Sequence, residues 1–253
     1  MIVQIYEIQT PAEAGAAVVA GVDHVGSVIQ DEGTWKQEVL LETVREVGRL
    51  GAKSSLIPLF NDVDRISFAL DFYRPDIVHF CDAVIEDPVN WEAACGRMIA
   101  LQATVRERFP QIAIMRSIPV PPPGGRLPVS MAVFARYFEP LTDYFLTDTY
   151  FTEGHGQADA KQPVSGFIGI TGRACDWDAA AQLVAESRIP VVLAGGLSPD
   201  NVSDAISAVR PAGVDSCTHT NAVDENGQPV RFKKDMEKVA RFVAEARRTA
   251  ASI

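Results

Sequence analysis

The chain has 253 residues, of which 47% are hydrophobic, and its formal net charge at pH 7 is −10. No block of Lys and Arg is dense enough to attract nucleic acid, and no apolar run reaches the about 18 residues that a membrane-spanning helix needs. The amino terminus reads as a strand rather than a signal peptide, and the four cysteines lack zinc-ligand spacing. We therefore expect a cytoplasmic protein without metal or cofactor, and without nucleic-acid or membrane partners.

The first half of the chain alternates short apolar runs with amphipathic segments. Strands are predicted at 1–6, 21–29, 55–60 and 76–80, and helices at 11–20, 38–50, 62–72 and 91–109. The first helix has a clear start, because Thr10 can cap it and Pro11 suits its first position.

The second half continues the same order. Strands are predicted at 112–118, 143–148, 189–194 and 213–215, and helices at 129–138, 176–187, 201–209 and 233–248. The long segment 149–175 is typical of a functional loop. Eight strands alternating with eight helices predict an α/β fold, a single (β/α)8 TIM barrel spanning residues 1–253. An open doubly wound sheet is the alternative, although it normally has fewer repeats and an early phosphate loop.

Two loops near the end of the chain have the composition of an anion site. Gly195 and Gly196 follow the seventh strand directly, and Ser198 with Pro199 then predicts the capped start of a helix. Glycines before a helix leave backbone N–H groups open to an anion, and the last two loops of such a barrel commonly bind phosphate. Two ordinary turns are the alternative. The phosphate-binding residues predicted here are Gly195, Gly196, Ser216, Cys217 and Thr218.

Active-site side chains of a TIM barrel lie at the carboxyl ends of its strands. Asp148 ends the sixth strand, where apolar walls would raise its pKa for general acid catalysis; capping the following residues is the alternative role. Tyr6 and Glu7 end the first strand, and because successive strand residues face opposite sides, we expect at most one of them to point into the barrel mouth. Four further residues are candidates for the active site because they also lie at strand ends: His79, Cys81, Asp82 and Arg116.

Several stretches together resemble one family. They are Leu-Thr-Asp-Thr at 146–149, Gly-Ile-Thr-Gly at 169–172 and Ala-Gly-Gly-Leu-Ser-Pro-Asp-Asn-Val at 194–202, with the frames of strands two and four at 21–26 and 76–80. Over most of its length the chain resembles the phosphoribosylanthranilate isomerase family of tryptophan biosynthesis. The resemblance implies a barrel enzyme that performs an Amadori rearrangement of a phosphoribosyl amine to an amino-ketose.

The resemblance also implies roles for single residues. Asp148 matches the family's general acid, and Gly172 joins the predicted phosphate-binding residues. The family's general base, a cysteine at the end of strand one, is absent, because Lys-Ile-Cys-Gly stands here as Gln4-Ile5-Tyr6-Glu7. Tyr has an ordinary pKa of about 10, which is too high for a base at neutral pH. Glu7 is the candidate base by position, and Cys81 is a second candidate that would supply a thiolate.

Other polar and aromatic residues have two alternative roles in this scheme. The family's arginine loop after strand two has no arginine here, and the nearest residues, Trp35 and Lys36, can contact a ligand or pack on the barrel rim. His79 fits a hydrogen-bonded core position. His155 and His219 lie in loops, where each is either solvated or faces the ligand.

The sequence therefore favours an isomerase-like barrel enzyme that acts by acid–base chemistry on a phosphorylated sugar derivative. Two alternatives stay open: a phosphometabolite-binding barrel with little or no catalysis, and an isomerase or epimerase for a different sugar phosphate. The expected partner is a phosphorylated small molecule, and the chain is expected to be a monomer or a homodimer.

Overall fold

The computed structural model describes residues 1–83, 89–151, 166–169 and 171–253. Within these ranges, eight strands form a closed barrel. They are β1 (Ile2–Ile5), β2 (His24–Ile29), β3 (Lys53–Pro58), β4 (Ile77–Phe80), β5 (Ala113–Val120), β6 (Tyr144–Thr149), β7 (Val191–Leu193) and β8 (Gly213–Ser216). The α-helices are α1 (Pro11–Val19), α2 (Glu38–Arg49), α3 (Val63–Tyr73), α4 (Trp91–Arg108), α5 (Met131–Phe138), α6 (Trp177–Glu186), α7 (Val202–Val209) and α8 (Met236–Ala250).

The barrel closes through the first strand. β1 pairs in parallel with β2 on one side, where Gln4 lies opposite His24, and with β8 on the other, where Gln4 lies opposite Asp215. The remaining neighbours are also parallel, and a helix follows each strand. The predicted (β/α)8 barrel is confirmed, and the open sheet is not formed.

Side-chain caps fix the starts of four helices. Thr10 accepts a hydrogen bond from the backbone N–H of Glu13, and Pro11 is the first residue of α1, as predicted. Asp62, Asp176 and Asp235 cap α3, α6 and α8 in the same way. These short polar side chains satisfy N–H groups that have no partner within the helix, and the predicted starts of α1, α3 and α6 lie within one residue of the observed ones.

The structure differs from the prediction between β8 and α8. An antiparallel hairpin, β9 (Asn221–Val223) and β10 (Pro229–Lys234), occupies this part of the chain. The prediction that the last helix starts at 233 was wrong, because Lys234 pairs with Asn221 in the hairpin and the helix begins only after its cap. The hairpin brings Arg231 back to the first strand, where it pairs with Glu7.

The outward faces of the strands pack against the helices. Val3 and Ile5 of β1, for example, share a buried cluster with Val239 and Phe242 of α8. Removing a side chain of this size from water contributes roughly 1.5–3 kcal/mol. No helix of the described ranges is long and apolar enough to cross a membrane.

One ion pair is fully enclosed in the outer layer. The Nη1 atom of Arg116 donates to Oδ2 of Asp82 at 2.6 Å, and the guanidinium lies 4.4 Å from the centre of the Phe138 ring. Arg116 is fully buried, so its charge depends on this partner. Both residues were candidates for the active site by strand position, but Arg116 projects towards α5 and pairs with Asp82 there.

We predict that Arg116→Met lowers the free energy of unfolding by about 3–5 kcal/mol, because the carboxylate of Asp82 is then buried without its partner. Urea denaturation measures the loss. Arg241→Met is the matched control, since it breaks an ion pair with Asp200 of the same 2.6 Å separation that is exposed to solvent. This control is expected to cost at most about 1 kcal/mol. Equal losses in the two variants would contradict the prediction.

Candidate active site

Two adjoining cavities lie at the carboxyl ends of the barrel strands. The apolar cavity is lined by Tyr6, Glu7, Val28, Ile57, Leu59, His79, Cys81, Leu146, Asp148, Ile168, Gly169, Asp215 and Cys217. The glycine cavity is lined by Asp148, Thr171, Gly172, Ala194, Gly195, Gly196, Leu197, Asp215, Ser216, Cys217, Thr218 and His219. Because Asp148, Asp215 and Cys217 line both, they mark the junction between the two cavities.

The glycine cavity is built from backbone that passes at close range. Gly195 and Gly196 have φ angles of 100° and 64°. A Cβ on Gly196 would lie 2.6 Å from the backbone nitrogen of Ala174, so only glycine fits there. Neither glycine donates its N–H to an acceptor within the described residues. The structure brings together all six residues predicted for phosphate, which are Gly172, Gly195, Gly196, Ser216, Cys217 and Thr218.

The helix after the glycines starts later than predicted. α7 begins at Val202, not next to Ser198. The side chain of Asn201 accepts from the N–H of Ser198 at 2.8 Å and donates to the carbonyl of Gly196 at 3.0 Å, which closes a separate turn. The prediction of Ser198 as the cap was wrong because this turn takes up the residues between the glycines and the helix.

Two loops that line the glycine cavity are tied together by His219. It follows β8 and lies 2.9 Å through its Nε2 atom from the carbonyl oxygen of Gly172. His219 was expected either to be solvated or to face the ligand. It is exposed to solvent and also lines the glycine cavity. His155, the other loop histidine, lies outside the described residues, as does most of the segment 149–175.

Asp148 stands at the junction of the cavities. Its Oδ2 atom accepts a hydrogen bond from Ser117 at 2.7 Å, and its Oδ1 atom has no partner within the described residues. A Cβ on Gly169 would lie 2.8 Å from Oδ1, so glycine leaves that oxygen open to the apolar cavity. Although the residue is only partly shielded, burial of its carboxyl group raises the pKa of Asp148 to about 7, against the opposing effect of the Ser117 hydrogen bond.

A second carboxyl group at the junction was not singled out from the sequence. Asp215 of β8 accepts from Nε2 of Gln4 at 3.1 Å. Burial, with a smaller contribution from the nearby Asp148, raises the pKa of Asp215 to about 8 against the opposing effect of the Gln4 hydrogen bond. Its inward position in the strand was the available signal, because Val214 faces the outer helices. Two carboxyl groups with raised pKa values thus face one space.

Glu7 reaches the apolar cavity by an unusual backbone turn. Its φ angle is 61°, which ends the alternation of the strand. Both Tyr6 and Glu7 therefore line the cavity, and the expectation that at most one does was wrong. The Oε1 atom of the buried Glu7 accepts from Nε of Arg231 at 2.8 Å, whereas Oε2 has no partner among the described residues. No pattern in the sequence indicated that Arg231 of the hairpin would contact Glu7.

Two thiols line the apolar cavity. Cys81, the second candidate base, is buried, and burial together with the charges of Asp82 and Asp148 raises its pKa well above the ordinary value. Cys217 lies near Glu7 at the junction; burial raises its pKa strongly, while Lys234 opposes the shift. Both thiols are protonated at neutral pH, which disfavours the thiolate that the sequence suggested for Cys81.

The loop after β2 packs outside the barrel mouth. The ring of Trp35 lies 6.5 Å from that of Phe68 and 5.8 Å from that of Phe72, and Nζ of Lys36 lies 4.8 Å from the Phe72 ring centre. Tyr73 donates to the carbonyl of Trp35 at 2.6 Å and holds the loop against α3. Trp35 and Lys36 therefore pack on the rim, and neither lines either cavity.

Within the described ranges, no group of three His, Cys, Asp or Glu residues is arranged to hold a metal ion. The expectations that the protein uses no metal and no cofactor remain predictions.

Comparison with known proteins identifies the family. The sequence model of N-(5'phosphoribosyl)anthranilate (PRA) isomerase matches residues 155–245. The N-(5'-phosphoribosyl)anthranilate isomerase of Methanopyrus kandleri is 32% identical over 246 residues, which cover 95% of this chain and 96% of that protein. The chain belongs to the phosphoribosylanthranilate isomerase family. The resemblance seen in its motifs is thereby confirmed.

Solved structures of the phosphoribosylanthranilate isomerase family share the fold. The enzyme from Thermotoga maritima superposes with a TM-score of 0.65 at 20% identity, covering 98% of this chain and 99% of that one. A phosphoribosylanthranilate isomerase in complex with reduced 1-(o-carboxyphenylamino)-1-deoxyribulose 5-phosphate has a TM-score of 0.67 at 20% identity and the same coverage. At this level of identity the structures support the barrel fold alone.

The raised pKa of Asp148 makes stability depend on pH. Between the ordinary value of 3.8 and the folded value of about 7, the folded carboxyl holds a proton that the unfolded one has lost. Raising the pH through this window therefore destabilises the fold. We predict that Asp148→Asn removes this loss, so that the variant gains stability relative to the wild type from pH 4 to pH 7 and no further above it.

Urea denaturation across this pH range measures the difference. Asp200→Asn, at an exposed surface position, is the control and should follow the wild-type curve. Parallel curves for the wild type and Asp148→Asn would contradict the raised pKa.

Proposed function

We propose that this protein catalyses the Amadori isomerisation of phosphoribosylanthranilate, in which a ring-closed amino-aldose becomes an open amino-ketose. The observation that carries the proposal is the position of Asp148, a carboxyl group with a pKa of about 7, at the junction of an anion-suited cavity and an apolar one. A substrate with a phosphate at one end and an aromatic ring at the other would place its sugar at this junction.

The two cavities suit the two ends of such a substrate. The N–H groups of Gly195 and Gly196 are available for phosphate oxygens. The aromatic ring would enter the apolar cavity, whose walls include Ile57, Leu146 and Ile168. A related isomerase has been solved with a ligand of this kind, which carries a carboxyphenylamino group and a 5-phosphate.

Asp148 is the proposed general acid. Ring opening requires a proton on the ring oxygen as the bond from C1 to that oxygen breaks. A carboxyl group with a pKa of about 7 is about half protonated at neutral pH and is a strong enough acid to transfer its proton. The open Oδ1 atom of Asp148 would deliver it.

Glu7 is the proposed general base, which removes the proton from C2 of the sugar after ring opening. Its Oε2 atom is buried beside the cavity without a hydrogen-bond partner among the described residues. Burial raises the pKa of the Tyr6 hydroxyl well above 10 and that of the Cys81 thiol well above its ordinary value, so both groups stay protonated at neutral pH and cannot accept the proton. Glu7 is therefore preferred to Cys81 in this role.

A second candidate function is binding of a phosphometabolite without turnover. It is favoured by one observation, which is that the end of strand one carries Tyr6 where the family pattern has its catalytic cysteine. An isomerase acting on a different sugar phosphate is favoured by the same residue, together with the lack of Lys and Arg in the described lining of the apolar cavity.

The decisive test is turnover of phosphoribosylanthranilate by the pure protein, followed by loss of substrate fluorescence. We expect activity in the wild type, a loss of at least about 100-fold in kcat for Asp148→Asn, and a comparable loss for Glu7→Gln. Arg241→Met, a surface change far from the cavities, should keep full activity. An inactive wild type whose melting temperature rises with ribose 5-phosphate would overturn the isomerase proposal in favour of binding alone.

The phosphate subsite has a separate test. Gly196→Ala would place a Cβ against the backbone of Ala174 and distort the cavity, so we expect KM for the phosphorylated substrate to rise about tenfold or more. Gly227→Ala is the matched control, because Gly227 also has a positive φ angle, 75°, but has open space around it. A normal KM in Gly196→Ala, measured in a folded variant, would place the phosphate elsewhere.

The proposal also concerns the location and the assembly of the protein. All four cysteines have free thiols, which suits the reducing cytoplasm that we propose for this protein. A monomer and a homodimer are equally compatible with the site, since the residues named for it come from a single chain.

A further inference from the structure

A continuous series of hydrogen bonds crosses the interior of the barrel and ends on Asp148. The hydroxyl of Tyr6 lies 2.6 Å from Oγ of Ser55 and 2.7 Å from Nδ1 of His79. The opposite ring nitrogen of His79, Nε2, lies 2.8 Å from Oγ of Ser117, which in turn donates to Oδ2 of Asp148 at 2.7 Å. Four strands, β3 to β6, and the residue that follows β1 thus contribute one side chain each to a single row.

The row has one consistent direction when Asp148 is ionised. A carboxylate only accepts, so Ser117 donates to Asp148 and must itself accept from Nε2–H of His79. Burial lowers the pKa of His79 to about 3, so the ring is neutral and carries a single N–H. Its Nδ1 atom therefore accepts from the hydroxyl of Tyr6, which accepts from Ser55. Every donor in the row points towards Asp148.

The opposite direction is the one alternative. In it, Asp148 carries its proton on Oδ2 and donates to Ser117, and His79 carries its hydrogen on Nδ1. The proton on Oδ2 of Asp148 then points towards Ser117 and away from the cavity. A proton on Oδ1 instead faces the open space beside Gly169. The tautomer of His79 thus decides which oxygen of Asp148 can hold a transferable proton.

The far end of the row cannot supply protons from solvent. Ser55 is 1% exposed, and its hydroxyl has Tyr6 as its hydrogen-bond partner. The row can therefore reverse its direction but cannot conduct a net proton to the site. Its effect is on the placement of the Asp148 proton.

We infer that Tyr6 and His79 are positioning residues, which act through Ser117 to keep the transferable proton of Asp148 on the oxygen that faces the substrate. The inference rests on the proposed function of Asp148 as the general acid. It also gives a role to Tyr6. The Tyr6 ring has room because residue 26 is glycine, since a Cβ there would lie 2.1 Å from the ring. The tyrosine at the end of strand one thereby supports the acid and does not act as a base.

Asp148 also faces other titratable groups, and any pH effect must be read against them. Asp215 faces it from β8 and Cys175 from the segment before α6, while Cys81 and Tyr6 face it from the ends of β4 and β1. Of these, Asp215 has a pKa of about 8, close enough to that of Asp148 to titrate with it. A change in hydrogen-bond direction is therefore best followed at His79 itself.

The first test is the tautomer of His79, measured by nitrogen NMR on protein labelled with ¹⁵N-histidine. The chain has only four histidines, so the signal can be assigned with His79→Gln. We expect the Nε2–H form in the wild type at pH 5, where Asp148 is protonated and its charge no longer sets the direction of the row. We expect a substantial Nδ1–H population at the same pH in Tyr6→Phe, which keeps the ring but removes the donor. Tyr73→Phe is the matched control, since it removes another buried hydroxyl with two hydrogen bonds and should leave the tautomer unchanged.

The second test is kinetic. Tyr6→Phe is expected to lower kcat about tenfold with little change in KM, because the acid proton is misplaced but the cavity keeps its shape. His79→Gln, whose amide nitrogen can replace Nε2 as the donor, should retain more activity than His79→Leu. Ser117→Ala removes a hydrogen bond that lowers the pKa of Asp148, so the alkaline limb of kcat/KM should move to higher pH.

The outcomes separate the two proposals. Wild-type kcat and an unchanged tautomer in Tyr6→Phe would overturn the positioning role while leaving the isomerase intact, as would an Nδ1–H form in the wild type. An Nε2–H form in a wild type without turnover would overturn the proposed function, and the catalytic role of the row with it.

Discussion

Polar side chains buried inside the barrel must find partners within it, and this requirement organises the site. Carboxyl, imidazole and hydroxyl groups removed from water lose several kcal/mol each unless they are hydrogen-bonded. Here they are joined into two rows, one ending on Asp148 and a second running from His24 through Gln4 to Asp215. Both rows end at the junction of the cavities, so the interior that stabilises the barrel also sets the positions of its two most perturbed carboxyl groups.

The end of the first strand brings two side chains, Tyr6 and Glu7, into the site. Tyr6 turns inward and joins the buried row, which its size permits only because Gly26 stands opposite. Glu7 then takes a left-handed conformation and reaches the cavity that an alternating strand would deny it. Its partner, Arg231, comes from the hairpin that follows β8. The end of the first strand is thus linked to a hairpin more than two hundred residues away.

The proposed anion site and the proposed acid depend on different kinds of interaction. The glycine cavity is formed by backbone alone at its centre, so it tolerates sequence change as long as Gly195 and Gly196 keep their φ angles and the segment at Ala174 stays close. The proposed acid, Asp148, depends on side chains from β3 to β5 and from the end of β1, and a change in any of them alters its environment. The proposed phosphate site and the proposed acid can therefore change separately on this barrel.

The sequence by itself determined the order of strands and helices, the side-chain cap of the first helix, and the strand ends where Asp148 and the glycines lie, because these follow from local periodicity and from residues that favour one backbone conformation. Only the tertiary structure decided that Asp215 shares the junction, that Glu7 meets Arg231, and that Tyr6, His79 and Ser117 form one row to Asp148. Those contacts join residues from distant parts of the chain, and barrel closure, which no local pattern records, sets their distances.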